Sequence, residues 1–161
     1  MVRMQNTSAP IAAAPVVMQE QLARGERFMM ALVALACAGL LGVAAWLEPA
    51  ADGIGTHRQL GLPACSWPAL MGIPCPSCGM TTAFALAADG RLIDAFYAQP
   101  LGLLLAVVAA ALAIASAHSA ATGARTVGIL SSMIGAKGWW ALGAFALGAW
   151  GYKILVMRGW L

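Results

Sequence analysis

Three long apolar runs, separated by stretches richer in glycine, proline and charge, set the pattern of this chain. Phe28–Leu47 is twenty residues without a charged side chain. At about 1.5 Å of rise per residue, such a run covers the roughly 30 Å hydrocarbon core of a bilayer. Leu101–Ala117 has Ser116 as its only polar side chain, and Gln99-Pro100 ahead of it is a good helix start, because the first helical N–H has no partner for proline to remove. Trp139–Met157 is the third run. Trp139 and Trp140 stand at one end and Trp150, Tyr152 and Trp160 approach the other, as a belt of aromatic residues at two membrane interfaces would. The pattern predicts an all-α membrane protein with three transmembrane helices over about 28–47, 101–119 and 139–157. A cleaved signal peptide is the rival for the first run, with Val43-Ala44-Ala45 as its cleavage site. The apolar region is too long for that, the usual length being about 7–15 residues.

The segments between the runs read differently. Met1–Gln19 is rich in Ala, Pro, Ser and Thr, with Arg3 its only charged side chain, and is expected to be a disordered tail. Residues 20–27 are short and charged, and Glu20/Arg24 makes an i,i+4 pair at an interfacial helix start. The remaining residues, 28–161, form the transmembrane helical domain. Glu48–Ala64 carries Pro49, Gly53, Gly55, Gly61 and Pro63 and reads as loop. A cysteine segment, 62–98, follows. A helix is expected over Gly79–Ala88, stopped at Asp89-Gly90, where glycine suits a left-handed cap. A second is expected over Arg91–Ala98, with Leu92, Ile93 and Phe96 on one face and Arg91/Asp94 at i,i+3. Together they make a short cysteine-bearing helical hairpin between the first and second spans. His118–Gly138 is the next connection, with an apolar patch, Val127–Ile134, for the bilayer surface.

Composition agrees with a lipid environment: 61% of the chain is hydrophobic and 9% charged, against about 25% charged in soluble domains. Nine Lys and Arg are spread singly, which excludes nucleic acid as a partner. The tail and second connection hold five of them, the opposite side three or four, and Arg24 and Arg27 abut the first span. By the positive-inside rule the N-terminus is cytoplasmic and the cysteine segment faces outward. Lys153 lies inside the third span but near Arg158, so its ammonium is expected to snorkel to the headgroups.

Candidate chemistry sits in one place. Cys65, Cys75 and Cys78 fall within fourteen residues, the last two as Cys-Pro-Ser-Cys. Cys-x-x-Cys brings two sulfurs close. A helix start at Cys78 would stabilise its thiolate, the form that binds metal and attacks disulfides. Three readings stand: a disulfide or metal staple for the hairpin, a metal site, and thiol–disulfide exchange. Zinc asks for four Cys or His ligands; here there are three cysteines, with His57 the only histidine near in sequence. Met71 and Met80 flank the cysteines, and soft sulfur suits copper(I), although packing is the simpler role. Thr81 and Thr82 are expected to satisfy free backbone groups in the first helical turn. Cys37, in mid-span, reads as a small hydrophobe. There is no Gly-rich phosphate loop and no Ser/His/Asp or histidine–carboxylate set, so an enzyme is not the leading expectation.

From Cys65 onward, the run GIPCPSCGMTTAFALAADGRLIDAFYAQPLGLLL resembles the DUF2752 family of small bacterial membrane proteins. Gly72, Pro74, Cys75, Pro76, Cys78, Gly79, Thr81 and Ala83 match its recurring pattern residue by residue. Gln99-Pro100 stands where Asn-Pro is usual, and the closing YKILVMRGWL is similar to the family's aromatic–basic ending. One departure is Thr82, where the family usually has arginine. The resemblance implies a multi-pass protein of the bacterial inner membrane and supplies no established activity. The expectation is therefore a non-enzymatic accessory or scaffolding subunit of a larger membrane assembly, partnered by another membrane protein or by a second copy of itself. The runner-up is a thiol redox or metal-binding protein, for zinc or copper, using Cys75, Cys78 and Cys65.

Overall fold

The computed structural model describes residues 21–128 and 135–159. The expected tail Met1–Gln19, most of the Val127–Ile134 patch, and Trp160 lie outside the described residues. Everything described is helix or connecting loop, with no strand.

Among the described residues, three helices are long and apolar enough to cross a membrane. They are α1 (Arg24–Trp46), α5 (Pro100–Thr122) and α6 (Ala136–Met157). α5 and α6 contain their expected spans, and α1 covers its own except for Leu47, which caps it. Gln99 caps α5 and Pro100 occupies its first turn, as expected. The long helices alternate in direction. At one end of the molecule the Arg27 guanidinium, at the start of α1, donates to the carbonyls of Ala120 (2.9 Å) and Ala121 (2.7 Å) at the end of α5. A cation there also answers the negative end of the α5 dipole. At the other end lies the whole stretch between α1 and α5.

That stretch contains a 3-10 turn over Thr56–Leu60, where loop was expected, and α2 (Trp67–Met71), for which no helix was expected, then α3 (Met80–Ala88) and α4 (Leu92–Ala98). The α3–α4 hairpin is as expected. Gly90 (φ +77) closes α3 with its N–H on the Ala87 carbonyl, while the Arg91 N–H reaches back to Leu86; this is the paired bonding of a left-handed glycine cap. The Arg91–Asp94 pair forms at 2.8 Å between half-exposed side chains, a geometry that adds little stability in water.

The core under the hairpin is built from small residues: Ala83 and Leu86 of α3, and Ala95 and Ala98 of α4. It rests on α5 at Gly102, where an added Cβ would come within 2.8 Å of the Ala83 Cβ. Small residues allow this closeness of backbones, which is how helices gain contact where lipid gives no hydrophobic drive. The bulkier Leu92, Ile93, Phe96 and Tyr97 of α4 point outward and are exposed.

Candidate metal centre

The cysteine loop is built by two left-handed glycines. Gly72 (φ +67) ends α2 and turns the chain back, so that Cys75 returns beside Cys65. A tight turn follows, with the Cys78 N–H on the Cys75 carbonyl at 3.0 Å. Gly79 (φ +86) then starts α3. No other residue fits there. A Cβ would lie 2.8 Å from the Gly53 carbonyl oxygen and 2.9 Å from that of Ala98, in a conformation L-residues avoid.

The result is a cluster of three sulfurs. Cys75 Sγ lies 3.6 Å from Cys65 Sγ and 2.9 Å from Cys78 Sγ, and all three are within 4.8 Å of one another. Cys65 is exposed, Cys75 half-buried and Cys78 buried, and all are free thiols. Cys37 is elsewhere, in α1. The sulfurs open on a cavity of about 700 Å³ whose wall includes Asp52, His57, Ser77, Thr81 and Phe84.

The two cysteines of the turn are unlike. Burial pushes the Cys78 thiol up to about 12, helped by its hydrogen bond to Cys75 and by the charge Cys75 develops. Burial acts in the same direction on Cys75 but is outweighed there. Hydrogen bonds from Cys78, Ser77 and Cys65, with the Ser77 backbone, hold Cys75 below the ordinary thiol value. The expectation that the helix start favours the Cys78 thiolate does not hold: burial raises the Cys78 thiol, and of the two it is Cys75 that is held below the ordinary thiol value.

The rest of the molecule props this loop. Pro74 is fully buried, and its carbonyl accepts from Trp150 Nε1 of α6 at 2.9 Å. The Pro76 carbonyl accepts from Gln99 Nε2 at 3.1 Å, leaving the buried Gln99 Oε1 without a partner. Trp150 and Tyr152 were expected to face an interface; each instead donates inward, Tyr152 to the Tyr97 carbonyl. Thr81 lines the cavity. Thr82 is fully buried and bonds the Thr56 hydroxyl at 2.8 Å, and Thr56 accepts from the Ala50 N–H. No side chain caps α3, so the capping role expected of these threonines is replaced by a bridge from α3 to the 3-10 turn.

Lys153 departs most from expectation. It does not snorkel: it is 4% exposed, and its Nζ donates to the Ala98 carbonyl at 2.8 Å. The presence of a charge inside a span was the signal that could have singled it out; nearness to Arg158 concealed it.

A cysteine, a Pro-Cys-Pro-x-Cys-Gly turn buried at its two ends and a Gln-Pro helix start therefore form one unit. Residues 65–113 match the family DUF2752. That family is described as a protein of unknown function. The DUF2752 segment begins at Cys65, contains every sulfur of the cluster, and ends within α5. The closing aromatic–basic stretch falls beyond it, as do Trp150 and Lys153, which brace it from α6. No curated protein and no solved structure matches the chain.

Proposed function

We propose that this protein holds one soft metal ion, zinc(II) or copper(I), on the thiolates of Cys65, Cys75 and Cys78 at one face of the membrane. The observation that carries the reading is the convergence of three sulfurs from two separate turns. A redox pair or a staple needs only two. The 3.6 Å between Cys65 and Cys75 is close to the roughly 3.8 Å expected of sulfurs on a tetrahedral ion with bonds of about 2.3 Å. The Cys75–Cys78 pair, at 2.9 Å, opens by less than about 1 Å to reach the same spacing. Cys75 offers the first thiolate, and Cys78 surrenders its proton when the ion arrives. Three ligands leave a coordination position towards the cavity, the arrangement of sites that exchange or act on a further ligand.

Metal analysis of full-length protein purified reduced in mild detergent tests this. About one ion per chain is expected, lost in Cys75→Ser and in Cys78→Ser. Free thiols with no ion overturn the reading. A gain of two hydrogens' mass on reduction, with no ion, replaces it with a disulfide staple or redox pair.

A second reading is favoured by α6. Trp139, Trp140 and Leu147 are largely exposed along it, and it donates hydrogen bonds to the body from Trp150, Tyr152 and Lys153. A helix attached at one end suits an accessory subunit that offers its other end to a larger membrane protein or a second copy. Copurification of a stoichiometric partner, lost on replacing Trp139 and Trp140 with alanine, is the expected result. With the N-terminus cytoplasmic in a bacterial inner membrane, the sulfurs face outward.

A further inference from the structure

Lys153 is a buried lysine with no carboxylate in ion-pair contact among the described residues. Among the described residues, the Arg91–Asp94 pair does not involve it, and its hydrogen bond is to a neutral carbonyl. A charge so placed is unfavourable unless an opposite charge compensates it. Its surroundings say which charge that is. A Cβ on Gly79, the residue after Cys78, would lie 3.1 Å from Lys153 Nζ, so the ammonium rests against the base of the cysteine turn. Cys78, bonded to Gly79 through the chain, is itself buried. Asp52 is exposed and lies between the two: it lines both the cavity of the sulfurs and a smaller one, of about 330 Å³, that holds Lys153.

We infer that Lys153 is the counter-charge of the sulfur cluster, a positioning residue that favours metal bound as an anionic tris-thiolate complex. The inference rests on the metal reading above. Three thiolates around a divalent ion leave one negative charge, and around a monovalent ion two. Cys78, next to Gly79 in the chain, is the buried sulfur of the three, and a fixed cation acts strongly on charge withdrawn from water. With the thiols protonated, Lys153 has no such partner; with metal bound, each charge compensates the other. The chain thereby favours the anionic centre before the metal arrives, and favours copper(I) by the larger margin because the bound charge is larger.

The test is competition for Zn²⁺ and for Cu⁺ against chromophoric chelators, with the reduced full-length chain in detergent. Lys153→Gln keeps an N–H donor for Ala98 and removes the charge. Its affinity is expected to fall about tenfold or more, further for Cu⁺ than for Zn²⁺. Lys153→Arg keeps the charge and is expected to stay within about threefold of the parent. Asp52→Asn removes an anion from the same cavity and is expected to tighten both metals. Equal loss of both metals in Lys153→Gln, or loss in Lys153→Arg as deep as in the glutamine variant, marks a merely structural lysine and overturns the inference. If Lys153→Gln fails to fold, Asp52→Asn decides, and unchanged or weaker affinity there overturns it. A parent chain that binds neither metal removes the metal reading and this inference with it; a parent that binds while Lys153→Gln matches it removes the inference alone.

Discussion

Within the Cys75–Cys78 turn, one sulfur is held ready to ionise and the other is not. In reduced, metal-free protein, labelling of Cys75 by iodoacetamide is expected to rise with pH and level off below the value usual for a thiol. Its lowered pKa makes the thiolate available early. Cys78 is expected to stay unlabelled past about pH 9, since its thiol is lost only near 12. Peptide mapping by mass checks both, and bound metal should protect both. Gly79→Ala forces a Cβ against two backbone oxygens at a left-handed position costing about 1–2 kcal/mol by itself. Loss of the folded, metal-binding species is expected on size exclusion. Thr82→Val leaves the Thr56 hydroxyl short of one partner and is expected to cost about 1–2 kcal/mol in reversible unfolding. The residue types of this site were legible in the sequence, because cysteines and glycines carry their constraints locally. The partners were not. Thr82 with Thr56, Trp150 with Pro74 and Lys153 with Ala98 are pairings across the fold, and no local pattern encodes them.

At the scale of elements, α3 lies tightly on α5 at Gly102 and Ala83. Gly102→Leu drives a side chain into that contact. It is expected to destabilise the protein by about 1–3 kcal/mol, read as a lower midpoint in detergent unfolding, whereas the same change at Gly148, which has open space around it, should be nearly neutral. Ala38/Gly42 and Ala144/Gly148 have the small-residue spacing that allows close helix packing, yet both glycines stand open. In an alanine-rich chain such spacing carries little information. The three spans were legible because twenty apolar residues have few other destinations, and the α3–α4 hairpin because Asp89-Gly90 is a strong stop. The 3-10 turn and α2 were not, being five residues each. That is too short for a periodic signal, and glycines and prolines that read as loop are here the residues that end and begin them.

Considered whole, the molecule has two unlike ends. One joins the start of α1 to the end of α5 through Arg27; the other carries the sulfurs, the larger cavity and Lys153. Because Cys65 is exposed at this second end, a membrane-impermeant maleimide added to intact cells is expected to label it when metal is withdrawn. Labelling only after the cells are opened would reverse the orientation proposed. The bracing of the cysteine turn by α6 has a temporal side. Trp150 is 76 positions from the Pro74 carbonyl it bonds, and Lys153 is 55 from that of Ala98. During synthesis all three sulfurs leave the ribosome well before the helix that steadies them. A nascent chain halted before α6 owns every sulfur but not the scaffold, so on the proposed metal reading an ion is expected to be held only once the final helix has entered the membrane, which would make loading a checkpoint on completed insertion.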